Sequence, residues 1–114
     1  MPIRDFLLGL PGASEETPFG PDALVYKVGG KMFALLGWKN QPLTVNLKCD
    51  PERAFELRER CSAIKPGYHM NKRHWNTLVL DGSLPRQLVF ELARDSFDLI
   101  VAKLPRSQRT ELER

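Results

Sequence analysis

The chain predicts an α+β fold, a single compact domain in which helices cover one face of an antiparallel sheet. Three observations carry that prediction. Apolar stripes at helical spacing lie near the N-terminus, after Asp50 and towards the C-terminus, with β-type runs between them. Gly29-Gly30 separates two such runs, where a tight hairpin turn needs positive φ. The chain has 114 residues, 42% hydrophobic and 27% charged, which makes one ordinary globular domain with core enough to fold without staples.

Taken in order, Ile3, Phe6, Leu7 and Leu10 form a helical stripe that stops at Gly9-Leu10-Pro11-Gly12. Residues 11–22 hold three Pro and two Gly and read as a long irregular connection, with Phe19 anchoring it to the core. Leu24 to Val28 and Lys31 to Leu36 form the hairpin, which places Lys27 and Lys31 near its exposed tip. Leu43 to Lys48 alternates apolar and polar residues as a half-buried strand does, with Thr44, Asn46 and Lys48 on its polar face.

Asp50-Pro51-Glu52 opens a helix: Asp caps free N–H groups, Pro suits the first helical position, and Glu complements the dipole. This helix, Pro51 to Ser62, carries Ala54, Leu57 and Cys61 on one stripe with Phe55 at its edge, and Glu52, Glu56 and Arg60 on another face. Trp75 to Leu80 reads as a strand ended by Asp81-Gly82. A helical pattern follows to Leu104 and reads as two helices broken near Asp95-Ser96, the second ended by Pro105. The domain is therefore expected over residues 1–105. Residues 106–114 read as a polar tail, frayed or a short exposed helix.

Charge is segregated along the chain. The formal net charge is only +3, yet residues 23–49 and 63–80 contain no Asp or Glu. Those windows hold Lys27, Lys31, Lys39, Lys48, Lys65, Lys72 and Arg73, so the remainder is net acidic. If the two windows meet in the fold they make one positive surface, which attracts nucleic acid or an acidic protein at long range. The densest chemistry is Lys65 to Thr77, which carries both histidines, two large aromatics, two Asn and three fixed cations without a carboxylate.

These residue types suit a polyanion. Lys27, Lys31, Lys48, Lys65, Lys72 and Arg73 are expected to contact phosphates, which supplies affinity and salt dependence but little sequence preference. Asn71 and Arg73 suit base edges, and Tyr68, His69 and Trp75 suit stacking. His74 completes the candidate set. Trp75 also opens a strand, where a core role is the commoner one.

Other chemistries find little support. His69 and His74 lie five apart with no nearby Asp, Glu or Cys to complete a metal set, so neither a metal nor another cofactor is expected. Phosphate loop, nucleophile elbow and dinucleotide fingerprint are all missing, and the protein reads as non-enzymatic. Cys49 and Cys61 read as buried free thiols of a reducing compartment. No apolar run approaches a membrane span and the N-terminus is no signal peptide, so a cytosolic location is expected.

The chain resembles the MmcQ/YjbR family of small bacterial proteins. The likeness is carried by Pro11-Gly12-Ala13 with Thr17-Pro18-Phe19-Gly20, by Lys27 to Ala34, by Leu47-Lys48-Cys49-Asp50-Pro51, by Pro66 to Thr77 and by Ser96 to Val101. It implies a CyaY-like α+β domain that binds DNA through a double wing. The hairpin around Gly29-Gly30 and the segment from Pro66 to Trp75 are then the wings. Small domains of this kind also serve as scaffold or chaperone partners, so a module that docks an acidic protein is the alternative expectation.

Overall fold

The computed structural model describes residues 2–68 and 70–112. The elements are helix α1 (Pro2–Leu8), strands β1 (Ser14–Glu16), β2 (Leu24–Val28), β3 (Lys31–Gly37) and β4 (Leu43–Lys48), helix α2 (Pro51–Arg60), strands β5 (Ile64–Pro66) and β6 (Trp75–Leu80), and helices α3 (Arg86–Val101) and α4 (Arg106–Leu112). The strands form one antiparallel sheet in the order β1-β2-β3-β4-β6-β5. The expected α+β architecture is therefore present. No described helix is long and apolar enough to cross a membrane.

Register sorts the side chains onto two faces, because alternate residues of a strand point to opposite sides. One row runs Leu24, Leu36, Val45, Leu78 and Ile64, and the next Tyr26, Ala34, Leu47 and Asn76. This face meets Ile3 and Leu7 of α1 and Val89, Leu92, Phe97 and Ile100 of α3 in a single core. The opposite face carries Val25, Leu35, Asn46, Thr77 and Lys65 in one row, with Gly37, Thr44 and Val79 beside it.

A bulge at Tyr26/Lys27 leaves Phe33 without a partner in the β2–β3 register. Phe33 and Ala34 are both fully buried, and the Phe33 ring meets Phe97 edge to face at 5.3 Å. Turn residues Gly29 and Gly30 have φ of 58° and 80°, the left-handed values that a two-residue hairpin demands. The tip does not project freely. A Cβ at Gly29 would fall 2.7 Å from the Leu104 methyls and 2.9 Å from Gln108 Oε1, so the α3–α4 junction leans on the turn.

Four sequence expectations need correction. The helix break near Asp95-Ser96 is absent, and α3 runs unbroken for 16 residues. Both residues find tertiary partners: Asp95 pairs with Arg53, and the buried Ser96 hydroxyl bonds the sheet. Those partners remove the competition with the backbone that weakens helices at such residues. Phe19 does not anchor its loop; it is 72% exposed. Cys61 caps α2 and is half-buried rather than on a buried stripe, while Cys49 is buried, and both thiols are free. The connection over 11–22 contains β1, held by Glu15, whose carboxylate accepts from the Tyr26 hydroxyl at 2.6 Å and from Arg4 at 2.8 Å. The C-terminal segment takes the short-helix form, with Leu112 packed against the core.

Candidate nucleic-acid interface

The uncovered sheet face forms a groove of about 500 Å³. Its floor is the cross-strand pair Asn46 and Thr77, both buried. The Thr77 hydroxyl donates to Asn46 Oδ1 and accepts the main-chain N–H of Tyr68 at 3.0 Å. Asn40 Nδ2 donates to Thr44 Oγ1 at 2.8 Å. Lys65 on edge strand β5 and the 69%-exposed Tyr68 line the far side. The groove thus offers a fixed amide–hydroxyl floor, one aromatic wall, the Lys65 cation and the Asp22 carboxylate, which pairs with Lys39.

The segment after β5 folds back on itself. Gly67 N–H donates to the Trp75 carbonyl at 2.9 Å, and Trp75 N–H to the Asn71 carbonyl at 3.0 Å. Gly67 is needed here because a Cβ would lie 2.8 Å from Trp75 Cβ and 3.0 Å from its carbonyl oxygen. Asn71 Oδ1 accepts the Arg73 N–H at 3.0 Å, and the Lys72 ammonium donates to the Gly67 carbonyl at 3.2 Å. Two of the expected ligand-contacting side chains therefore brace the loop itself.

Arg58 of α2 donates to the Lys72 carbonyl at 3.0 Å, and Lys72 and Arg73 border a surface depression with Glu52, Phe55 and Glu56. They lie against α2, away from the groove lining. His74 is half-buried, and its carbonyl accepts the Cys49 N–H at 2.8 Å. His69 lies outside the described residues.

The cations of the two carboxylate-free windows do not pool on one surface. Lys27 lies 3.5 Å from Glu16, and Lys39 lies 3.2 Å from Asp22, both carboxylates from outside the windows. Lys65 sits at the groove, and Lys72 and Arg73 sit by α2. Lys31 and Lys48 lie at the far end of β3 and β4, where Lys103 joins them. The Lys48 ammonium is pushed down to about 8 by Lys103, whose side chain meets it, then by desolvation and the charge of Lys31. The sequence reading missed Lys103 because nothing local links residue 103 to the hairpin. Its position just before the apolar Leu104, which docks on Gly29, was the available signal.

Burial raises the Cys49 thiol above its usual range, so this cysteine is held protonated and is no ready nucleophile. Among the described residues no three His, Cys, Asp or Glu side chains converge as metal ligands do.

The YjbR family model matches residues 8–99. The chain is 35% identical over 107 residues to protein YjbR of Escherichia coli strain K12, a match covering 94% of this chain and 91% of that one. It is 38% identical over 94 residues to protein YbdF of Escherichia coli O157:H7, covering 82% and 77% of the two chains. A Deinococcus radiodurans crystal structure with a DUF419 domain aligns at a TM-score of 0.91 with 42% identity, over 97% of this chain and 85% of that one. A Pseudomonas syringae protein aligns at a TM-score of 0.74 with 30% identity, over 86% and 95%. The names of these relatives state no activity.

Proposed function

This chain belongs to the YjbR family, and we propose that it is a non-enzymatic DNA-binding domain that works mainly through phosphate contacts. The observation that carries this reading concerns the carboxylate-free windows: of their cations, Lys31, Lys48, Lys65 and Arg73 neither pair with a carboxylate among the described residues nor, like Lys72, brace the loop through the side chain. Lys65 stands at a groove in which the Tyr68 ring and the polar Asn46–Thr77 floor suit an unstacked base more than a closed duplex, with the Asp22 carboxylate on the same lining already paired with Lys39. A single strand is therefore the favoured form, with a base against Tyr68, a phosphate at Lys65 and further phosphates reaching the separate cation positions.

Fluorescence anisotropy against single-stranded DNA, duplex DNA and RNA at several salt concentrations tests the reading. Binding to single strands is expected with Kd on the order of micromolar at low salt and a log–log salt slope of about −3 for four phosphate contacts. Absence of binding at low salt with protein in excess removes it.

One observation favours a second reading, a module that docks an acidic protein. Phe55 is 58% exposed on α2 in a depression that Arg58, Lys72 and Arg73 line together with Glu52 and Glu56, an apolar anchor with three cations against two carboxylates. Loss of a partner's binding on Phe55→Ala, with no nucleic-acid binding by the wild type, would decide for it.

A further inference from the structure

We infer that Lys31, Lys48 and Lys103 form a binding site for a dianionic phosphate, either the terminal phosphomonoester of a nucleic-acid strand or a free phosphorylated solute. Where the phosphate is a strand end, this rests on the nucleic-acid reading above.

Three separate parts of the chain place these lysines at the same end of the sheet. Lys31 is the first residue of β3, directly after the Gly29-Gly30 turn. Leu104 is buried against that turn, which holds its neighbour Lys103 at the hairpin tip. Lys48 is the last residue of β4, and its main-chain N–H is bonded to Ser96 Oγ at 2.9 Å, which fixes the strand end against α3.

The carboxylates that α3 carries nearby are already engaged. Asp95 pairs with Arg53, and Asp98 pairs with Arg94 at 3.1 Å. None of the three lysines has a carboxylate partner among the described residues. Like charges gathered without a counter-ion destabilise one another. The lowered Lys48 pKa has the side-chain contact with Lys103 as its first cause and desolvation as its second, and the charges of Lys103 and Lys31 add to both. A dianion seated between the ammonium groups removes the repulsion and gains charge-assisted hydrogen bonds, as a carboxylate bound elsewhere on α3 does not. A bulky group is not excluded on the turn side, because a Cβ at Gly30 would meet nothing within 4 Å.

The test is calorimetric titration of the full chain with inorganic pyrophosphate, beside anisotropy with a 5′-phosphorylated and a 5′-hydroxyl single strand of the same sequence. Pyrophosphate is expected to bind wild type, about tenfold more weakly to Lys48→Met and to Lys103→Met, and unchanged to Arg60→Met, an exposed cation at the end of α2. Lys48→Arg retains the charge and is expected to restore binding. Folding of Lys48→Met is not at risk, since the sheet uses the main chain of Lys48; an unchanged circular-dichroism spectrum checks it.

A preference for the 5′-phosphorylated strand that Lys48→Met abolishes assigns the site to strand ends. Pyrophosphate binding without that preference assigns it to a free solute. If pyrophosphate fails to bind wild type, or binds Lys48→Met as well, the site is overturned; single-strand binding that persists then leaves the open-face reading intact. Pyrophosphate binding with no oligonucleotide binding at all keeps this site and removes the nucleic-acid reading.

Discussion

The Ser96 hydroxyl donates to the Phe33 carbonyl at 2.6 Å, so a helix side chain completes a strand. The β3–β4 ladder ends at Ala34 and Leu47, one residue short of Phe33 and Lys48. The bulge at Tyr26/Lys27 has displaced Phe33, and Ser96 also accepts the Lys48 N–H that the ladder leaves unpaired. One hydroxyl thus satisfies a donor and an acceptor that burial would otherwise orphan. It also sets where α3 lies on the sheet, and so where Lys103 arrives relative to Lys48.

Ser96→Ala is accordingly expected to destabilise the fold by about 2 kcal/mol or more, because unsatisfied buried polar groups cost roughly 1–3 kcal/mol each. Urea denaturation checks it: the midpoint falls while the slope is unchanged. A loss below about 0.5 kcal/mol, the size of an ordinary surface change, would show that the hydroxyl is not needed there.

Gly67→Ala is expected to cost about 1–3 kcal/mol, the usual range for overpacking, since its Cβ would meet Trp75 at both Cβ and carbonyl. The Gly67–Trp75 bond closes the loop that carries Asn71, Lys72 and Arg73. Faster amide exchange in residues 67–75 is therefore expected before any global unfolding. Unaltered exchange in that segment would refute the requirement for glycine.

Thr77→Val keeps shape but strips the groove floor of its hydroxyl. Asn46 Oδ1 and the Tyr68 N–H then lose the partner they share. A loss of about 1–3 kcal/mol in urea is expected, together with weaker single-strand binding because the main-chain bond from Tyr68 to the groove floor is removed. Full affinity in a folded Thr77→Val protein would separate the groove from binding.

Much of the sheet was legible because its signals are local. Trp75–Leu80 and Leu43–Lys48 fall where alternation and breakers put them, and Asp50 caps α2 with its carboxylate accepting from Arg53 N–H at 3.3 Å. The short edge strands were not legible. Ser14–Glu16 needs no apolar alternation at an edge, and Ile64–Pro66 ends on a proline that an edge tolerates. Ser96 misled because its helix-weakening chemistry is consumed by a residue 63 positions away.

The candidate site depended even more on long-range geometry. A window free of carboxylates in sequence is not free of them in space: pairing of β1 with β2 lays Glu16 near Lys27. The same geometry that removed Lys27 from the free cations added Lys103 to them. Each change is made by a strand pairing or helix docking between distant segments, and the only local trace of either is the apolar Leu104 beside Lys103.

Lys48 gives the last prediction, a pH dependence of stability. Its folded pKa is about 8 against an ordinary 10.5, depressed first by Lys103 and then by desolvation and Lys31. Between those values the unfolded chain holds a proton that the native state has lost. Stability therefore rises with pH across that window, and below it the folded protein bears the full repulsion. Cys49 acts in the opposite sense, since its raised thiol pKa makes unfolding easier as alkaline pH ionises the unfolded thiol. Comparing wild type with Lys48→Met cancels the Cys49 contribution. The variant is expected to melt higher at pH 7, with the gap closing as pH rises from 8 towards 10.5. Salt at 1 M should narrow the gap at pH 7, because charge repulsion is then screened to about 3 Å. Thermal midpoints of the two proteins across pH 6 to 10.5 decide it. A gap that stays constant over that range would mean that Lys48 does not feel its neighbours.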